Sequence, residues 1–101
     1  MTTVNCLWID DLRLPPEGWV WAKTSAEAIE LLSAQEERFD FISFDHDLGG
    51  DDTSRKVVLW LCENTSKWPQ EAAVHSRNPV GKDWLLGMIE RYGEDCRLRR
   101  Y

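Results

Sequence analysis

The apolar positions of this chain fall in short bursts, each closed by acids, by histidine or by glycine and proline. Residues 4–9 form a nearly continuous apolar run, the pattern of a buried strand, and stop at Asp10-Asp11. Pro15-Pro16 and Gly18 exclude a regular helix in the segment that follows. Residues 19–22 predict a second strand, with Trp19 and Trp21 on one face by period-two alternation. Thr24 and Glu27 then have capping-box spacing, and Ala28, Ile29 and Leu32 make an apolar stripe, predicting a helix over residues 25–37. Residues 39–44 read as a third strand that runs into Asp45-His46-Asp47 and turns at Gly49-Gly50.

Thr53 is placed to cap a helix that carries Val57, Val58, Leu61 and Cys62 on one face. The same run, residues 57–62, also suits a strand. Its polar flank and its place between two strands favour the helix. Trp68-Pro69 breaks the chain, residues 72–74 supply a short fourth strand, and that strand ends at His75-Ser76. Asn78-Pro79 is a helix-start pair, Leu85, Met88, Ile89 and Tyr92 recur at helical spacing, and Gly93 is placed to end the element. No clear fifth strand is read beyond Tyr92, and the basic stretch at residues 97–100 reads as a solvated tail. Strands alternating with helices predict one α/β domain over residues 1–101, with a mostly parallel four-stranded sheet.

Composition narrows the function classes. A net charge of −6 argues against an extended nucleic-acid-binding face, which needs clustered positive charge. It leaves room for a small phosphate ligand held by local donors. No apolar run approaches the ~20 residues of a membrane span, and the start of the chain lacks the basic-then-apolar layout of a secretion signal. The expectation is a cytoplasmic protein with no membrane partner. Cys6, Cys62 and Cys96 are widely spaced and odd in number, which fits buried thiols better than a disulfide or zinc framework. The six tryptophans read mostly as packing mass.

The chemistry gathers where three strands end. Asp10, Asp11 and Asp45 offer carboxylate oxygens suited to a hard divalent cation such as Mg2+. A solvated acidic turn is the plainer reading of the first pair. His46 is placed to move protons, as histidine side chains do, or it is a loop histidine among capping aspartates. His75 and Ser76 precede a helix N-terminus, whose free N–H groups attract phosphate; an ordinary N-cap beside a packed histidine would look the same. Arg13, Asp47, Arg77, Asn78 and Lys82 are further candidates for contacts to substrate or phosphate, and Gly81 would let a ligand approach the backbone. If strands three and four are parallel neighbours, His46 and His75 flank one volume as base and acid, with Asp10, Asp11 and Asp45 beneath.

Three motifs together resemble a known family. Residues 7–13 (Leu-Trp-Ile-Asp-Asp-Leu-Arg), 45–49 (Asp-His-Asp-Leu-Gly) and 75–81 (His-Ser-Arg-Asn-Pro-Val-Gly) are similar to those of the cyclic-phosphate-processing receiver domain, a relative of the response-regulator receivers. The resemblance implies a small flavodoxin-like three-layer fold, its first helix and fifth strand lost or reduced. It also implies cleavage of a cyclic phosphate on a nucleotide or an RNA 2′,3′-cyclic end. On the receiver pattern Asp45 stands at the phosphoacceptor position, Asp10 and Asp11 are the Mg2+ acids, and Ser76 contacts phosphate. The alternatives are a signalling module phosphorylated on Asp45 and a pocket that binds a nucleotide without turnover. Loss of the first helix would uncover one sheet face, which Trp8, Trp19 or Trp21 would fill by forming a homodimer.

Overall fold

The computed structural model describes residues 5–99, in which five short strands pair in parallel and three helices connect them. In chain order these are β1 (Cys6–Ile9), β2 (Val20–Ala22), α1 (Ser25–Ala34), β3 (Phe41–Phe44), α2 (Arg55–Glu63), β4 (Glu71–Val74), α3 (Pro79–Tyr92) and β5 (Arg97–Arg99). The sheet order β2-β1-β3-β4-β5 is the doubly wound order of flavodoxin-like folds. The register places Ile9 beside Phe44 and Phe44 beside Val74, so the three central strands end level. One further rung follows, with the Asp45 N–H donating to the Ile9 carbonyl at 2.8 Å and the His75 N–H to that of Phe44 at 2.9 Å. Asp10, Asp45 and His75 therefore emerge side by side at the carboxyl edge, where open α/β sheets bind ligands.

Two strand expectations change. The sheet has five strands, not four: β5 pairs with β4, Arg97 beside Glu71 and Leu98 beside Ala72. Its signal is weak because Leu98 alone packs against the core, while Arg97 and Arg99 are exposed and read as a solvated tail. Arg100, in that tail, and Val4, at the expected start of the first strand, lie outside the described residues. Trp19 and Trp21, expected to share a face, have different partners. Trp19 packs on Trp8 and Phe41, whereas the Trp21 indole donates to the Asp10 carbonyl at 2.7 Å.

Helices form where apolar side chains share a stripe, and all three pack on one sheet face. Leu7, Ile9, Ile42, Phe44, Ala72 and Val74 meet Ala28, Leu32, Val57, Val58, Leu61, Leu85 and Ile89 in one buried cluster. Each fully buried Leu or Ile stabilises by about 1.5–3 kcal/mol. That outweighs the tenths of a kcal/mol by which β-branched Val57 and Val58 disfavour a helix, so α2 forms. The opposite face carries Cys6, Phe41 and Ala73, closed over by Trp19. Among the described residues no helix contributes to it, and aromatic side chains stand in for a third layer.

Helix ends follow the sequence closely, with adjustments. Thr24 Oγ1 accepts from the Glu27 N–H at 3.1 Å, but the Glu27 carboxylate takes the Lys23 N–H instead of completing the reciprocal box. α1 ends at Ala34, three residues short of the expected 37, where Gln35 turns extended. Ser54 is the cap residue of α2, although Thr53 Oγ1 still accepts from the Arg55 N–H at 3.3 Å. α1 is also clasped from a distance, since Asp52 accepts from the Ser25 N–H at 2.8 Å and from its hydroxyl at 2.6 Å. Burial would raise the Asp52 carboxyl, but the Ser25 bonds and Lys56 outweigh it and hold it below the usual range.

Asp52→Ala should therefore cost about 1–2 kcal/mol in urea denaturation at neutral pH, the size of a lost cap. A carboxyl lowered by folding contributes above its unfolded value and loses that contribution as pH falls through its folded value. The gap between variant and wild type should accordingly shrink as the pH is taken below the ordinary carboxylate range.

Candidate functional site

Beyond the level strand ends lies an open hollow of about 380 Å³. Asp11, Asp45 and Asp47 line it with Arg13, Ser76, Arg77 and Asn78, and Leu12, Gly49 and Gly50 complete the wall. Asp10, His46, His75, Gly81 and Lys82 are not part of that lining. Three chain segments thus meet as the motifs suggested, but not every residue faces the hollow.

Asp10 is buried, and both of its oxygens are engaged. Oδ1 accepts from the N–H groups of Leu12 and Arg13, each at 2.9 Å, and Oδ2 lies 3.0 Å from His75 Nε2. Burial would raise this carboxyl, but those backbone bonds and the imidazole outweigh it and hold it low. Asp45 has the opposite balance: burial first, then the Asp10 charge, push its carboxyl up, against bonds from the His46 N–H and Ser76 and the charge of Arg13. One oxygen from each of Asp10, Asp11 and Asp45 lies within 4.8 Å of the others. Such an all-oxygen set at that spacing fits a hard divalent cation. Gly49 permits the arrangement: its φ of +91° is one that side chains rarely adopt, and a Cβ there would lie a tight 3.2 Å from Asp11 Oδ2.

The two histidines do not sit as the sequence suggested. His75 stacks on Trp8, ring centroids 3.9 Å apart, with Nδ1 2.7 Å from the Ser43 hydroxyl and Nε2 on Asp10. Since a carboxylate only accepts, the Nε2–H donates to Asp10 and the Ser43 hydroxyl donates to Nδ1. Burial holds the imidazole below its usual pKa despite the Asp10 charge, so His75 is a neutral strut behind Asp10. His46 is buried too. Its Nδ1 lies 2.9 Å from Asp47 Oδ1, and its Nε2 accepts from Arg55 Nε at 2.9 Å. Both rings have both nitrogens occupied, and each braces an acid rather than flanking a shared volume.

Gly81 also has a different task. A Cβ there would fall 2.3–2.5 Å from three atoms of the His46 ring, so this glycine makes room for imidazole, not for ligand. Asn78 caps α3 as expected, its Oδ1 accepting from the Gly81 N–H at 3.0 Å, and its Nδ2 donates to Asp47 Oδ2 at 3.2 Å. Arg13 donates from Nη1 to the His75 carbonyl at 2.6 Å, and its Nη1 stands 3.9 Å from Asp10. Lys82 lies in the first turn of α3 and points no donor into the lining. Ser76 Oγ accepts from the Asn78 N–H at 3.1 Å, tightening the turn into the helix.

Sequence reasoning missed Trp8 as a stacking partner, Ser43 and Arg55. Ser43 carried a signal, being the one polar residue in a run of Phe-Ile-Ser-Phe. Arg55 carried none, since nothing in its spacing links it to His46. The thiols offer no rival nucleophile: burial raises Cys6 and Cys62, and pushes Cys96 up to about 11.

Two outcomes follow. Gly81→Ala should destabilise by about 1–3 kcal/mol in denaturation, the cost of forcing a side chain into a packed site. A carboxyl raised by folding takes up protons as the chain folds, so its effect on stability worsens as pH rises from the ordinary carboxylate value through its folded value. In chelator above that window, Asp45→Asn should be more stable than wild type by about 1 kcal/mol, a familiar size for relief of a functional-site strain. Adding Mg2+ should raise the melting temperature of wild type and leave that variant unmoved.

Residues 5–91 match the family model described as the cyclic-phosphate processing receiver domain. Neither a curated protein nor a solved structure matches the chain. With the match spanning nearly all of the fold, including all three segments that build the hollow, the chain belongs to the cyclic-phosphate processing receiver domain family.

Proposed function

We propose that this protein is a phosphoesterase that opens a cyclic phosphate, on a nucleotide or at an RNA 2′,3′-cyclic end. The observation that carries this reading is the meeting of two opposite sets of groups in one hollow. Carboxylates of Asp11 and Asp45, with Asp10 beside them, share the lining of one hollow of about 380 Å³ with Arg13, Ser76, Arg77 and Asn78. Acids alone would repel such a ligand, and arginines alone would only bind it.

Asp10, Asp11 and Asp45 are the residues that would hold a divalent cation such as Mg2+, which when bound offsets phosphate charge and lowers the pKa of a water. Arg13 and Arg77 add donors matched to phosphate oxygens. Asp47 reaches solvent at the mouth, its side chain 63% exposed. The His46 bond first of all holds its carboxyl low, so it stays ionised and orients an attacking water instead of shuttling a proton. In the reaction a water oxygen bonds to phosphorus, one ring ester P–O bond breaks, and the proton that the water gives up ends, through solvent, on the freed alkoxide oxygen. The product is a phosphomonoester with one new hydroxyl. In this reading His75 and His46 act through Asp10 and Asp47, not as the acid and base themselves.

Turnover of a 2′,3′-cyclic mononucleotide, followed with Mg2+ and with chelator, tests the proposal. Chelator should abolish the rate, and Asp45→Asn should lower kcat by about a hundredfold or more, the usual loss when a charge-stabilising group is removed. Full activity in chelator would refute the metal-assisted reading. No turnover together with labelling of Asp45 by a small phosphodonor would favour the signalling module.

A further inference from the structure

We propose that Arg55 is a positioning residue of this site, fixing the His46 ring with its proton on Nδ1 and so aiming Asp47 at the hollow. Arg55 opens α2, nine residues beyond His46, and nothing in the motifs marks it. Its Nε can only donate, and it meets His46 Nε2 at 2.9 Å. The Nε2 nitrogen must therefore present its lone pair, and the ring proton is left on Nδ1. That N–H points at Asp47 Oδ1, 2.9 Å away.

The ring has little freedom to do otherwise. It is 5% exposed, and one side is pressed against the backbone of Gly81. Arg55 is steadied in turn, its guanidinium carbon 4.8 Å from the centroid of the Trp84 ring on α3. At the other end Asp47 Oδ2 accepts from Asn78 Nδ2 at 3.2 Å. Both carboxylate oxygens are thus pinned, one by a chain that begins on α2 and one by the cap of α3. A free aspartate at a loop mouth would swing among rotamers; this one is held in one. The kinetic consequence rests on the proposed hydrolysis, whereas the ring assignment stands apart from it.

Nitrogen NMR of the imidazoles at fixed neutral pH tests it, and the chain supplies its own contrast because it has two histidines. In wild type, His46 should show a protonated Nδ1 with a bare Nε2, while His75, bonded to Asp10 through Nε2, should show the reverse. Arg55→Met keeps the stem and removes the donors. In that variant the His46 nitrogens should shift toward the other tautomer, the His75 signals should stay, and kcat on a cyclic nucleotide should fall about tenfold with KM little changed. A wild-type His46 protonated on Nε2, or charged, would overturn the assignment even if the variant does not fold. His46 signals unmoved by Arg55→Met would overturn it as well, and moved signals with kcat intact would overturn the positioning role. Absence of turnover in wild type would instead fail the hydrolytic reading, and the spectra would still decide the role of Arg55.

Discussion

Like charges do not gather within a few ångströms unless the backbone obliges them to, and here it is the parallel register that does so. Ile9 sits beside Phe44 in the sheet, so the residues that follow them, Asp10 and Asp45, are delivered to adjacent positions. The rung closed by the Asp45 N–H on the Ile9 carbonyl removes the freedom by which they could part. What the strands force together, local bonds make tolerable on one side only. Asp10 has two N–H groups and an imidazole; Asp45 has fewer donors to offset its burial and the Asp10 charge beside it, and its carboxyl is raised. This asymmetry is the physical centre of the molecule. It leaves one acid with unmet demand for positive charge, at a hollow where a ligand or cation can supply it.

Around that centre the structure is arranged as two struts. One runs from the second sheet face: Ser43 and the stacked Trp8 hold His75, which holds Asp10. The other runs from the helical layer: Trp84 and Arg55 hold His46, which holds Asp47. In each the imidazole is a rigid spacer with a defined tautomer, donating to a carboxylate at one end and accepting at the other. A ring used in this way is best buried and neutral, which is how burial leaves His75. The same demand explains Gly81, where a methyl group would collide with the His46 imidazole.

Strands that end in acids, a capped helix after Thr24 and the Asn78-Pro79 start of α3 were all legible in the sequence, because each rests on contacts within a few residues. The carboxylate trio was legible too, since parallel pairing needs only an ordering of strands to bring strand tips together. Three kinds of feature escaped. β5 packs one partly buried side chain, Leu98, against the core, and a strand with so little apolar signal looks like tail. The inward turn of the histidines depends on Arg55 and Ser43, partners 9 and 32 residues away, which no local pattern announces. Gly81 was read as an opening for a ligand because a missing side chain says only that something comes close, not what.

On the second sheet face, among the described residues, aromatic side chains stand where helices would lie. In a flavodoxin-like fold that face is covered by helices, yet here the connection from β1 to β2 carries Pro15-Pro16 and cannot be helical. Cys6, Phe41 and Ala73 are nonetheless buried, because Trp19 lies over them and the Arg99 guanidinium sits 5.1 Å from the Phe41 ring. Large aromatic side chains bury much area per residue, and Trp19, with Trp8 packed against it, does so on this face. The substitution also serves the site. Trp8, part of that aromatic cover, stacks on His75 and donates its indole N–H to the Arg13 carbonyl at 2.9 Å. The residue that helps close the sheet is therefore the one that sets the strut under Asp10 and the loop that carries Arg13, so packing and chemistry on this face rest on the same side chain.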